Sequence, residues 1–136
     1  MKHLKLLVIG AAVLFAALIA FGIYTAQQAR YYQSVIGSVL DHDLGFRHGS
    51  PYFIFGDDSS EVFTLHPQPG SLMSAAGVRD SDIVLDHSIT GFYRTLHEHR
   101  GSTIAFRVTD GGDGVPIAQR PVRTITLQIP AQRQHQ

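Results

Sequence analysis

The 136-residue chain contains no cysteine, and that absence excludes disulfides, thiolate metal sites and cysteine nucleophiles together. Asparagine is missing as well, so neither a glycosylation sequon nor an Asn-Gly hairpin turn is available. Lysine stops at Lys5. Residues 31 to 136 hold eight arginines against eleven acids, a formal charge of −3, which offers no basic footprint and removes nucleic acid as a partner. Charge of either sign is absent from Leu6 to Ala26, 21 consecutive positions.

That uncharged run fits either a membrane anchor or a cleavable leader. About 20 apolar residues cross the ~30 Å hydrocarbon layer of a bilayer. A secretory signal has a shorter apolar core and small residues at the cut. Here Tyr24-Thr25-Ala26 and Gln27-Gln28-Ala29 each place a larger residue three positions before a candidate cut, so a retained signal-anchor is expected. Lys2 and Lys5 precede the run and only Arg30 follows closely, which by the positive-inside bias puts the N-terminus in the cytoplasm and the rest outside. Tyr24, Tyr31 and Tyr32 suit an interfacial belt. The expected division is a cytoplasmic segment 1–5, a transmembrane anchor 6–26, a connector 27–42, one folded domain 43–130 and a polar tail 131–136. About a hundred residues suffice for one core.

Val35, Ile36, Val39 and Leu40 recur at helical spacing in the connector, which fits either a stalk that continues the anchor or a break into a first strand. Pro51 to Phe55 and Glu61 to Leu65 are aromatic and β-branched runs around Gly56-Asp57-Asp58-Ser59-Ser60, the pattern of a hairpin. In Pro69 to Leu85, Pro69-Gly70 makes a turn, Ser71 caps a short helix, Gly77 ends it, and Ile83-Val84-Leu85 is a buried strand. Thr90 is a plausible N-cap for a second helix carrying Phe92, Tyr93 and Leu96 on one face, closed by Gly101. Thr103 to Thr109 and Val122 to Ile129 alternate around a turn at Asp110 to Gly114, a closing hairpin. The order predicts an α+β fold of five to six strands with two helices.

Several of these segments, taken in order, resemble the PDZ domain of the bacterial envelope type. The carriers are Leu44-Gly45-Phe46, Pro69-Gly70-Ser71, Ala76-Gly77-Val78, Ser81-Asp82-Ile83-Val84-Leu85, Phe92 to His99 and Gly101 to Val108. They span about Asp43 to Ile129. Three positions depart from the pattern: Ser81 stands where the family has glycine, Asp86-His87-Ser88-Ile89 replaces an Asn-Gly turn, and Pro51 lies in the strand that would pair with a ligand, where it offers no N–H. The resemblance implies a small partly open β-barrel or sandwich that binds an extended peptide or protein C-terminus by strand addition. It would place carboxylate-binding N–H groups at Gly45 and Phe46 and a side-chain pocket among Leu44, Phe46, Tyr93 and Leu96. Thr90 or Ile89 would face the residue two before the end, and Arg47 would add charge. A competing register uses Ser50-Pro51-Tyr52-Phe53 as the loop.

Catalysis is not expected. His97-Glu98-His99 lacks the four-residue histidine spacing of a zinc protease helix. Asp41-His42-Asp43 has no third partner of matching spacing, and no Gly-x-Ser-x-Gly elbow exists. The sequence therefore leads to a non-catalytic inner-membrane protein with a periplasmic interaction module, without cofactor, whose partner is a membrane or envelope protein. Its alternative is a structural subunit of a membrane complex with a closed groove.

Overall fold

The computed structural model describes residues 2–54, 60–111 and 115–132. The chain divides into two compact units at Tyr31/Tyr32. The first is helix α1 (Lys2–Arg30), which is long and apolar enough to span a membrane or act as a signal anchor. None of its residues is buried, the pattern of a helix whose whole circumference faces an apolar solvent.

The second unit is α+β. A π-helical stretch (Tyr31–Ile36) leads into α2 (Gly37–Leu44), so the connector is helical and no strand forms there. The remaining elements are β1 (Phe46–His48), β2 (Tyr52–Ile54), β3 (Ser60–Pro67), α3 (Leu72–Ala75), β4 (Asp82–Val84), α4 (Ile89–Glu98), β5 (Thr103–Thr109) and β6 (Val122–Gln128), with a short 3-10 turn at Ile117–Gln119 before β6. The strands form an open antiparallel sheet of order β1-β3-β4-β5-β6, with β2 pairing to β3 alongside β1. Three α-helices thus accompany the sheet where two were expected, the extra one being α2.

Local chemistry accounts for the boundaries. The Ser71 hydroxyl accepts from the Ser74 N–H at 3.1 Å and caps α3, and Gly77 leaves it at φ +104°. For α4 the cap is Ser88, which accepts from the Gly91 N–H at 3.0 Å; Thr90 lies inside the first turn. Ile89, Phe92, Tyr93 and Leu96 are its buried face. The expected hairpins pair as β2 with β3 and β5 with β6; the loop at 55–59 and residues 112–114 of the second turn lie outside the described residues.

Buried Asp82 fastens the sheet to α3. Its carboxylate accepts from the Arg79 N–H at 2.7 Å and from the Arg123 guanidinium on β6, which also donates to the Gly77 carbonyl at 3.0 Å. Ser81 and Asp86, either side of β4, hold left-handed φ values of +65° and +68°, uncommon for residues with a Cβ.

Candidate functional site

The residues expected to form a ligand groove lie on or beside α2, β1 and α4, and α2 packs against both of the others. Ile36, Leu40 and Leu44 recur every four residues, one helical face, and all join the core. Leu40, Leu44, Tyr93 and Leu96 are 0 % exposed and Phe46 is 1 % exposed. The Phe46 ring stacks on Tyr93 at 6.0 Å and meets Phe92 edge-on at 6.3 Å. Gly37 lets the helix settle, since a Cβ there would lie 3.2 Å from the Tyr93 ring.

A polar chain runs through this packing. The Tyr93 hydroxyl donates to Asp41 Oδ1 at 2.6 Å and lies 2.7 Å from His48 Nδ1. The tyrosine has one proton and it goes to the carboxylate, so His48 must donate from Nδ1, which assigns its tautomer. Burial pushes the Asp41 carboxyl above its ordinary range, while the Tyr93 hydrogen bond and then the charges of His48 and Arg47 act the other way. The Tyr93 hydroxyl is pushed upward too, first by burial and then by Asp41. Helix, edge strand and α4 are thereby tied at one point, Tyr93 lying far in sequence from Asp41 and His48.

The Gly45 amide is engaged within the chain. Gly45 adopts φ +72° as the cap of α2, its N–H donates to the Asp41 carbonyl at 2.9 Å, and its carbonyl accepts from the Gln68 N–H at 2.8 Å. A Cβ at Gly45 would come within 2.4 Å of the Ser71 Cβ. Arg47 projects outward and is exposed. The Thr90 hydroxyl accepts from Gln33 Nε2 at 2.9 Å. Of the seven predicted site residues, four are thus brought together in the core, Gly45 caps the helix beside them, and Arg47 and Thr90 lie outside that cluster.

No protein-family model, curated protein or solved structure matches the chain. The site therefore rests on its own geometry. Among the described residues, no three His, Cys, Asp or Glu side chains gather where a metal ion could be held. Asp41-His42-Asp43 is helical, with Asp41 bound to Tyr93 and Asp43 paired with Arg100 at 2.7 Å. His99 folds back on the Thr95 carbonyl at 2.8 Å, whereas His97 lies edge-on to Tyr32. One arrangement had no sequence signal: Asp80 Oδ1 lies 2.9 Å from His66 Nδ1, and His66 Nε2 lies 3.3 Å from the Thr64 hydroxyl. The Gly49 backbone passes that hydroxyl so closely that a Cβ would sit 2.2 Å from it, so only glycine fits there.

Proposed function

We propose that the chain is a membrane-tethered, non-catalytic interaction subunit whose PDZ-like domain keeps its α4–β1 groove closed with its own helix α2. The observation that carries this reading is the burial of Leu40 and Leu44 against Phe46, Tyr93 and Leu96, with Asp41 bound to the Tyr93 hydroxyl. An extended ligand would have to occupy volume already filled by side chains. The PDZ-like reading is supported by the order of loop, short strands, helix α3, β4, α4 and β5. It is supported further by Ser81, which stands at the family's glycine and carries positive φ. The apolar α1 would be the anchor in the inner membrane, N-terminus inside, with the second unit in the periplasm.

The test is a library of C-terminal peptides, each in free-acid and amidated form, screened against the full-length protein in lipid nanodiscs. The closed groove predicts no peptide whose binding depends on its free carboxylate. Enrichment of carboxylate-dependent binders would overturn it and favour the open module, a reading that draws on β1 and β2 pairing with no strand other than β3 among the described residues.

A further inference from the structure

The sheet has two edges, and they are built oppositely. At one, β1 and β2 are three residues each, separated by Gly49-Ser50-Pro51, with Arg47 and His48 on the rim. Short strands, a proline and charge are the devices by which sheet edges avoid pairing with other chains. At the other, β6 is a regular seven-residue strand that pairs residue for residue with β5 from Thr103↔Gln128 to Thr109↔Val122 and, among the described residues, with no other strand. Apart from this ladder, no backbone hydrogen bond among the described residues uses Val122 to Gln128. From Thr124 to Ile129 it has no charge, no glycine and no proline, and buried Ile125 and Leu127 alternate with exposed Thr124, Thr126 and Gln128. Of the guards on the first edge, this one keeps only Arg123 within the strand, its prolines standing outside it.

We propose that the outer edge of β6 is an interface on which a second copy of this chain adds its own β6, antiparallel, about a two-fold axis at Thr126. The inference does not rest on the state of the α4–β1 groove. The self-pairing is favoured by the register it creates: Thr126 meets Thr126, Thr124 meets Gln128, and Ile125 meets Leu127. The one charged residue of the strand, Arg123, falls opposite Ile129 rather than its own copy, so no like charges face each other. Pro121 and Pro130 bracket the strand and limit the added ladder to this stretch. Two chains anchored in one bilayer meet at a raised local concentration, which suits a contact of modest area.

The absence of native cysteine makes the test clean. In full-length protein in nanodiscs, Thr126→Cys should form an inter-chain disulfide under mild oxidation, because facing residues in an antiparallel pair lie within disulfide reach. Ala105→Cys is the control: Ala105 is exposed and is the β5 partner of Thr126. In the paired sheet its two copies are three strand spacings apart, about 14 Å, beyond disulfide reach, so it should stay uncrosslinked. Thr126→Lys, on the exposed face, should shift the native mass from dimer to monomer while leaving the near-ultraviolet circular dichroism of the folded unit unchanged. A wild-type protein that is monomeric, a Thr126→Cys protein no more crosslinked than Ala105→Cys, or a dimer unaffected by Thr126→Lys would each overturn the proposal.

Discussion

Replacing Tyr93 with phenylalanine isolates the polar tie between α2 and the rest of the second unit. The ring keeps its stacking on Phe46, and only the oxygen that donates to Asp41 at 2.6 Å and accepts from His48 at 2.7 Å is lost. A hydrogen bond to a charged group contributes about 1.5–3 kcal/mol net. The desolvation of the tyrosine hydroxyl disappears with it, so the expected loss is about 2 kcal/mol. For a domain of this size each kcal/mol shifts the melting temperature by roughly 4–8 °C, giving a fall of roughly 8–16 °C at neutral pH. The size of the fall depends on pH. Asp41 has a raised carboxyl in the folded state. Its contribution is therefore fully present below the unfolded value of about 3.9 and is lost as pH rises through the raised folded value. Tyr93→Phe removes the largest influence that holds this group down and so pushes it further up. The gap between wild type and variant should be smallest in acid and widen toward neutrality. Near-ultraviolet circular dichroism of the full chain in detergent reads the second unit, since helix α1 dominates the far-ultraviolet signal. A Tyr93→Phe melting temperature equal to wild type at pH 7 would refute the tie.

Gly45→Ala places a Cβ at φ +72° and within 2.4 Å of the Ser71 Cβ. A strained left-handed residue costs about 1–3 kcal/mol, and urea unfolding should show a loss at or above the upper part of that range because the α3 cap is displaced as well. Asp82→Ala strips the Arg79 N–H and the Arg123 guanidinium of their acceptor; breaking a buried pair costs about 3–5 kcal/mol, visible as a large drop in denaturation midpoint. Ser81→Gly relieves positive φ worth about 1–2 kcal/mol, part of it offset by the unfolded-state entropy of glycine. A net gain of about 0.5–1 kcal/mol is expected by thermal melting, and a destabilised variant would mean the serine side chain matters. Full-length protein should remain with membranes through an alkaline carbonate wash, and release at a shortened length would identify a cleaved signal.

The elements that short-range chemistry determines were legible in the sequence. Twenty-one uncharged positions announce α1, the Ser71 and Gly77 pair brackets α3, and alternation marks β5 and β6. Ser88 rather than the expected Thr90 caps α4, since both are good cap residues near the start of an apolar face and only the hydrogen bond to Gly91 separates them. The packing of α2 into the core was half visible. Ile36 and Leu40 were seen at helical spacing, but their burial depends on where α4 comes to rest, 50 residues later in the chain. Tyr93 carries no signal toward Asp41 or His48 because the chain separates it from them by 52 and 45 positions. The departures at Ser81 and Asp86 have a backbone explanation, since both are positions of positive φ at which a side chain bears the strain that glycine or asparagine would avoid.

Strand β4 gives the second unit a mechanical character. It is three residues long, sits in the middle of the sheet, and pairs with β5 through only Ile83↔Thr109 and Val84↔Val108, plus the Leu85 N–H to the Arg107 carbonyl at 3.0 Å. Tension that entered through α2 and left through a neighbour on β6 would have to pass this seam, and the ladder of seven pairs between β5 and β6 would outlast it. Under load, then, rupture begins between β4 and β5, where the Asp82–Arg123 clasp and the two-pronged Asp86–Arg107 pair at 2.6 and 2.7 Å are the charged rivets across the break.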